Sequence, residues 1–479
     1  MKNSLASKVL DGLIWSFFER FSSQVVSVIV AIVLARLLEP RYYGIIAMVT
    51  VFITLGDILA NSGFGRAVVQ KKHASKVDYD NAFFLSILIS LSVYALLFVS
   101  APYIAEFYGI EELSMIVRVM ALRVPISSFY SIQQAYIQKA MLFRNFFLAS
   151  LSAAIGSGVI GITLALLGYG IWALVAQALS NSILSTLVLF YISKWRPSWK
   201  VRREGLRDIF SFGSKLIESE IIANAMTTIR TMIMAKMYTP SDLAYYDQGQ
   251  RYTGIVVGNL STAINRVMLP VYSSMQDDIA LLREKVRTSI RVGIFFMAPM
   301  MLGLFAVADN LIVTLLTEKW ILATPYLQIF SLYYLTRPFE SIANQALIAK
   351  GHVKSSFYVM VLINFTSFIS MMIVMILSLD VLAFAQSILI ATIVSVLSFS
   401  YCMKRYLRYK FLDQLKDVGL SIMIATVMSS VISLVGHVFV SSLLNLVAQI
   451  VAGIIIYIGS AFCLKLSAMD FLVKKLKSR

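Results

Sequence analysis

The 479-residue sequence predicts an all-α polytopic membrane protein of about 14 transmembrane helices. Two observations carry this. Hydrophobic residues make up 59% of the chain and charged residues only 14%, against about 45–50% and a quarter in soluble domains. Apolar stretches long enough to span a bilayer recur from end to end, and the basic residues cluster between alternate pairs of them. This composition excludes an ordinary water-soluble enzyme, a disordered chain and a disulfide scaffold.

The segments fall in order at 13–37, 42–64, 81–105, 114–138, 146–167 and 170–193. A second set follows at 208–236, 243–270, 289–316, 323–349, 355–379 and 382–403, and a last pair at 418–440 and 443–466. The first segment is long enough to span and holds Glu19 and Arg20, so it reads as a retained helix and not as a cleavable signal. No outward connection is long enough to form a separate domain.

A net charge of +17 raises the question of an acidic partner. With the N-terminus inside, however, 30 of the 42 basic residues fall on one side of the membrane. They are Lys2 and Lys8; Arg66, Lys71, Lys72 and Lys76; Lys139 and Arg144; and the basic residues of 194–207, 283–291, 350–354, 404–416 and 465–479. The outward connections hold Arg36, Arg41, Lys236 and Lys319 and several acids, among them Glu106, Glu111 and Glu112. This bias predicts that both termini are cytoplasmic. The charge therefore reports topology and contact with anionic lipid; no interleaved aromatic platform supports nucleic-acid binding.

The two halves echo each other. Gly12 precedes Glu19 by seven residues, as Gly213 precedes Glu220. The run Ala35-Arg36-Leu37-Leu38-Glu39-Pro40 is followed by Tyr42-Tyr43, and Ala235-Lys236-Met237-Tyr238-Thr239-Pro240 by Tyr245-Tyr246. Gln133-Gln134-Ala135-Tyr136-Ile137-Gln138-Lys139-Ala140 pairs with Asn344-Gln345-Ala346-Leu347-Ile348-Ala349-Lys350-Gly351. These echoes predict two pseudo-symmetric six-helix bundles, 1–200 and 201–403, with two extra helices and a basic tail over 404–479. A parallel repeat of this kind is a transporter design, with the substrate site between the halves.

Ionisable groups within spans are costly and mark hydrated cavities or internal pairs. Helix 1 carries Arg20, Ser23, Gln24 and Ser27; helix 4 carries Arg123, Ser127, Tyr130 and Gln134. Helix 7 carries Glu220, Asn224, Thr227, Thr228 and Thr231, flanked by Glu218 and Arg230. Helix 8 carries Asp247, Arg251, Gly254, Gly258, Thr262 and Asn265, and helix 10 carries Arg337, Glu340, Ser341 and Asn344. Residues three or four apart share a helix face. Each stripe either lines an aqueous cleft or joins helices. Asp57 stands by itself towards the inner end of helix 2, as a protonatable coupling group or an interfacial residue, and Arg66 reads as a snorkelling end charge. Pro125, Pro299 and Pro338 are expected to bend helices 4, 9 and 10. No phosphate-binding loop, hydrolase motif or metal-ligand spacing is present, so no cofactor and no catalytic residue are expected. Cys402 and Cys463 imply no disulfide framework.

Several runs resemble the polysaccharide repeat-unit flippases of the MOP superfamily, of the Wzx-like colanic or teichuronic acid exporter type. They are Leu34-Ala35-Arg36-Leu37-Leu38-Glu39-Pro40-Arg41-Tyr42-Tyr43-Gly44, Tyr245-Tyr246-Asp247-Gln248-Gly249-Gln250-Arg251, Ile264-Asn265-Arg266-Val267-Met268-Leu269-Pro270 and Leu315-Leu316-Thr317-Glu318-Lys319-Trp320. The resemblance implies two bundles around a V-shaped cleft and a flippase, not an enzyme. Its substrate would be an undecaprenyl-diphosphate-linked oligosaccharide crossing the bacterial inner membrane, with other glycan-assembly proteins as further partners. Arginine matches diphosphate in a bidentate way. The expected cavity residues are Arg20, Arg123, Arg230, Arg251 and Arg337 with Asn224 and Asn344. Glu19, Asp57, Glu218 and Glu220 are the candidates for ion coupling. An ion-coupled multidrug or small-solute antiporter and a membrane-embedded glycan polymerase or ligase are the rival expectations.

Overall fold

A computed structural model describes residues 2–61, 63–193, 195–198, 202, 205–436, 441–464, 466 and 469, with their side chains apart from 2–13, 17 and 259–267. Gly12, Thr262, Asn265, Arg266, His437 and the basic residues Lys2, Lys8, Lys194, Lys200, Arg203, Lys465, Lys474, Lys475, Lys477 and Arg479 lie outside the described side chains.

Each of the fourteen expected segments is helical over most of its described residues, apart from frayed ends and breaks at Gly63, Leu122 and Thr336. The first half runs α1 (Lys2–Leu37), α2 (Pro40–Asn61), α3 (Phe64–Gln70), α4 (Lys76–Tyr108), α5 (Glu112–Ala121), α6 (Arg123–Ala140), α7 (Phe143–Leu166) and α8 (Ile171–Ile192). Then come α9 (Leu206–Met237), α10 (Pro240–Ser273), α11 (Ile279–Leu316), α12 (Thr324–Leu335), α13 (Arg337–Ala349), α14 (Val353–Ile376) and α15 (Val381–Leu407), and last α16 (Phe411–Val435) and α17 (Ser442–Cys463). The helices outnumber the expected segments for two reasons. A short helix, α3, follows α2, and the spans of helices 4 and 10 are each divided, into α5/α6 and α12/α13.

Those divisions fall at two of the expected prolines. Pro125 and Pro338 sit in the first turns of α6 and α13, where a missing N–H leaves no bond within the new helix unmade. Each withholds the N–H that would reach back across the break to Ala121 or Tyr334, so the span is interrupted there. Pro299 does lie inside a helix, α11.

Eleven stretches are long and apolar enough to cross a membrane among the described residues. The expected spans over α9, α10 and α12/α13 are not among the eleven, and these are three of the five that carry the polar stripes. The residues expected to line a cavity therefore make these helices the least lipid-like.

The chain forms two compact units, Met1–Ala244 and Tyr245–Arg479. In the first, α7 packs between α1 and α8, and α9 lies on α2, α3 and α4. Phe64, Val68, Tyr79, Phe83, Ile132 and Trp195 form its inner core. The segment after α8 is clasped to the start of α4: the Ser198 N–H donates to Asp80 Oδ1 at 3.2 Å, and Asn81 exchanges bonds with the Arg202 backbone at 2.9 and 3.1 Å. At the other end of α2, a Cβ on Gly44 would lie 1.6 Å from the Pro240 carbonyl oxygen, so only glycine permits that approach.

In the second unit, α11 is the central helix, packed against α12, α13, α16 and α17. The motif Tyr245–Arg251 divides by face. Tyr246 packs on Tyr326 and Phe330, and Gly249 sits against the backbone of α12, where a Cβ would meet Leu327 N at 2.7 Å. Asp247 and Arg251 are exposed.

One pair of repeat-matched lysines makes the same kind of contact in both units. Lys139 Nζ donates to the carbonyls of Val68 and Val69 at 3.1 and 3.3 Å, just after α2. Lys350 Nζ donates to the Gln276 carbonyl at 2.6 Å, just after α10.

Candidate functional site

Each divided span restarts at an arginine. In the first unit Arg123 opens α6, and its Nε lies 3.9 Å from Asp57 Oδ2 on α2. Asp57 is not alone, as its position in the sequence suggests. Ser127 Oγ donates to its Oδ1 at 2.6 Å and Asn61 Nδ2 to the same oxygen at 3.3 Å. Asn61 also donates to Ser127 Oγ at 2.7 Å and accepts from Ser128 Oγ at 2.9 Å. Ser127 comes from the α6 stripe, one turn beyond Arg123, so helical spacing delivers the arginine and one hydroxyl to one carboxylate, while Ser128 reaches only Asn61. The geometry separates two kinds of contact. Neutral donors hold Asp57 within hydrogen-bonding distance, whereas Arg123 is a neighbouring charge beyond it. The Arg123 side chain is 38% exposed and Asp57 25%.

In the second unit Arg337 opens α13. Its guanidinium lies 3.3 Å from Glu340 Oε2, donates to the Tyr333 hydroxyl, and stacks 4.6 Å from the Tyr333 ring centroid and 6.0 Å from that of Tyr334. Thr336 Oγ1 donates to Glu340 Oε1 at 2.8 Å. Gln250 on α10 bonds the Tyr334 hydroxyl, which brings the Tyr245–Arg251 motif next to this arginine. Both arginines thus stand at a helix break beside one carboxylate and remain partly open.

The other expected residues are placed as follows. Glu19 is half-buried and near enough to Tyr130 to act on it electrostatically, and Arg20 is exposed. On α9, Glu220 pairs with Arg66, so Arg66 is an ion-pair partner and not a bare end charge. Asn224 donates to the Glu220 carbonyl at 2.8 Å, Glu218 is exposed, and Arg230 is buried at 6% exposure. Asn344 accepts from Ser356 and so joins α13 to α14. Within the first unit the structure gathers Arg123 with Asp57 and Glu220 with Arg66.

One charged cluster is not evident from the sequence. Asp417, 4% exposed on α16, accepts from Arg287 Nε and Nη2 at 2.7 and 3.1 Å, from Arg291 Nε at 2.8 Å and from the Tyr409 hydroxyl at 2.6 Å. Burial, and the bond to that carboxylate, push the Tyr409 hydroxyl far above its ordinary range. In the sequence Arg287 and Arg291 read as topology; their i, i+4 spacing is the available signal, but nothing nearby in sequence points to Asp417.

A family model described as "Polysaccharide biosynthesis protein" matches residues 33–325, more than half of the sequence. The chain belongs to this family. It is 24% identical over 363 residues to the teichuronic acid biosynthesis protein TuaB of Bacillus subtilis (strain 168), covering 74% of each chain. It is 26% identical over 328 residues to the succinoglycan biosynthesis transport protein ExoT of Rhizobium meliloti (strain 1021), covering 68% of this chain and 66% of that one. Its fold is that of the lipid II flippase MurJ in an inward closed conformation, with a TM-score of 0.75 at 15% identity over 95% of this chain and 99% of MurJ. The expected family and the all-helical polytopic fold therefore stand.

Proposed function

We propose that this protein is a flippase for undecaprenyl-diphosphate-linked oligosaccharide repeat units. It moves them by alternating access across the bacterial inner membrane for surface polysaccharide biosynthesis, with both termini cytoplasmic. Membership of a polysaccharide biosynthesis family, a similar protein named for succinoglycan transport and a fold shared with a lipid II flippase support this reading. So does the positive-inside bias. The duplicated halves 1–200 and 201–403, with 404–479 appended, are the proposed working parts.

The observation that carries the chemistry is the arginine at each helix break. A sugar diphosphate cannot cross hydrocarbon unassisted, because each unsatisfied polar group costs several kcal/mol. Arg123 and Arg337 each offer a fork that matches a diphosphate. At Arg123 the exchange is direct. Its contact with Asp57 is longer than a hydrogen bond, and Asp57 keeps Ser127 and Asn61 when the guanidinium turns to substrate. After release, Asp57 attracts the arginine back. Arg20 and Arg251, both exposed, are the secondary candidates for the headgroup, with Arg230, Asn224 and Asn344 supporting their helices. Glu19, Asp57, Glu218 and Glu220 are the candidates for ion coupling. Other glycan-assembly proteins are the proposed partners.

The test is deletion of the gene followed by complementation. Loss of surface glycan with accumulation of lipid-linked intermediate, rescued by wild type but not by Arg123→Gln or Arg337→Gln, is the expected result. Normal glycan in the deletion strain overturns the pathway; full rescue by both variants overturns the site.

A further inference from the structure

α4 and α11 each carry a proline well inside the helix, Pro102 and Pro299. The sequence around them is duplicated: Phe98-Val99-Ser100-Ala101-Pro102 and Phe295-Phe296-Met297-Ala298-Pro299 both read Phe-x-x-Ala-Pro, at an offset of 197 residues from 102 to 299. Ala101 and Ala298 are both fully buried. This offset is shorter than the 200 to 211 residues of the other echoes, so the two prolines share a local motif but not the same depth in their helices.

A proline has no N–H to donate to the carbonyl four residues back, and its ring forces a kink there. The freed acceptors are the carbonyls of Phe98 and Phe295. In a bilayer no water is at hand to satisfy them. In the first unit the donor is Arg118 on α5, whose Nε reaches the Phe98 oxygen at 3.3 Å while its guanidinium stacks 4.8 Å from the Phe98 ring. In the second the donor is Tyr457 on α17, whose hydroxyl reaches the Phe295 oxygen at 2.9 Å while its ring lies 5.4 Å from that of Phe295. Different side chains on non-equivalent helices converge on the same carbonyl position. Arg118 comes from within the duplicated helices and Tyr457 from the appended pair.

We propose that Arg118 and Tyr457 are positioning residues for transport. Each supplies the hydrogen bond that proline removed and so sets the angle of the bent helix in its unit. Arg118 is on this account occupied by the backbone of α4 and is not a headgroup ligand. Helices α16 and α17 are an integral part of the second unit, because α17 completes the α11 bend. The transport role rests on the flippase reading; the two hydrogen bonds do not.

A double-mutant cycle on the full-length protein tests both parts. In Pro102→Ala the restored N–H takes the Phe98 carbonyl, so Arg118→Met lowers the melting temperature in the wild-type background and has little further effect on Pro102→Ala. Tyr457→Phe and Pro299→Ala behave in the same way, except that Tyr457→Phe also loses the Ser421 bond to the hydroxyl in both backgrounds, so its loss shrinks in Pro299→Ala without vanishing. Equal losses in both backgrounds overturn the assignment of donor to carbonyl. In proteoliposomes of phosphatidylethanolamine and phosphatidylglycerol, with undecaprenyl diphosphate bearing one fluorescent sugar as probe, Arg118→Met and Tyr457→Phe slow flipping about tenfold, the scale of one lost hydrogen bond. Probe binding stays within about twofold. Arg118→Lys, which keeps a donor, recovers most of the rate. Wild-type rates in Arg118→Met and Tyr457→Phe, or a loss confined to probe binding, overturn the positioning role. Wild-type protein that moves no probe overturns the flippase reading and the transport role with it, while the melting cycle still decides the bonds.

Discussion

Replacing Asp417 by alanine strands two guanidinium groups. The carboxylate is 4% exposed and accepts from Nε and Nη2 of Arg287, Nε of Arg291 and the Tyr409 hydroxyl, all between 2.6 and 3.1 Å. At about 2.8 Å and an effective dielectric near 20, each arginine attracts the carboxylate by about 6 kcal/mol. Desolvation offsets most of this, so the intact cluster adds little net stability. Breaking it is another matter: removing one partner of a buried pair costs about 3–5 kcal/mol, because the remaining charge is left uncompensated. Here the Arg287 and Arg291 side chains are 32% and 29% exposed. Water relieves part of the penalty, which places Asp417→Ala near the lower end, at about 3 kcal/mol. A sharper outcome is expected of Arg287→Met, Arg291→Met, Tyr409→Phe and Asp417→Leu combined. Replacing the complete buried cluster, its bonded hydroxyl included, by apolar groups is close to neutral, so the quadruple variant recovers most of the loss. The assay is unfolding of the purified full-length protein in a single detergent, monitored by size-exclusion chromatography. A quadruple variant as unstable as Asp417→Ala, or an Asp417→Ala protein as stable as wild type, refutes the account of mutually cancelling charges.

Further outcomes follow from the same geometry. Asp57→Asn keeps the bonds to Ser127 and Asn61 but removes the charge that draws Arg123 back. It therefore costs less than about 1 kcal/mol in stability, the scale of a partly exposed pair, yet slows glycan export in complementation; a stability loss as large as that of Asp417→Ala contradicts this. Thr317 ends α11 at φ 84°, ψ 170°, a region suited to glycine; relieving about 1–3 kcal/mol of strain, Thr317→Gly raises the melting temperature. Gly44→Ala drives a Cβ into the Pro240 carbonyl and costs about 1–3 kcal/mol or more, seen as a fall in the yield of monodisperse protein. With Cys402 and Cys463 replaced by serine, cysteine at Lys76 or Lys285 reacts with an impermeant reagent only from the cytoplasmic side, and cysteine at Glu111 or Asp380 only from the outside; the opposite pattern reverses the topology.

The fold class and the site were legible to different depths. Helices are local objects: bilayer thickness, residue hydrophobicity and the periodicity of polar groups act along a single stretch of chain, so all fourteen segments could be found from sequence. The echo of Lys139 in Lys350 marked two residues that do make the same kind of backbone contact in their units. Embedded charges such as Arg123, Arg337, Asp57 and Glu220 were visible because each stands out against an apolar surround.

What the sequence by itself determined is therefore the class, the segments and the shortlist of costly charges. The tertiary structure decided which of those charges face a partner, and whether that partner is bonded or merely near. Asp417 with Arg287 and Arg291, Arg66 with Glu220, and Arg118 with the Phe98 carbonyl are all pairs of residues 20 or more apart in sequence. Their energy depends on a few ångströms of separation and on exclusion of water. Both quantities come into being only when helices distant in sequence pack side by side.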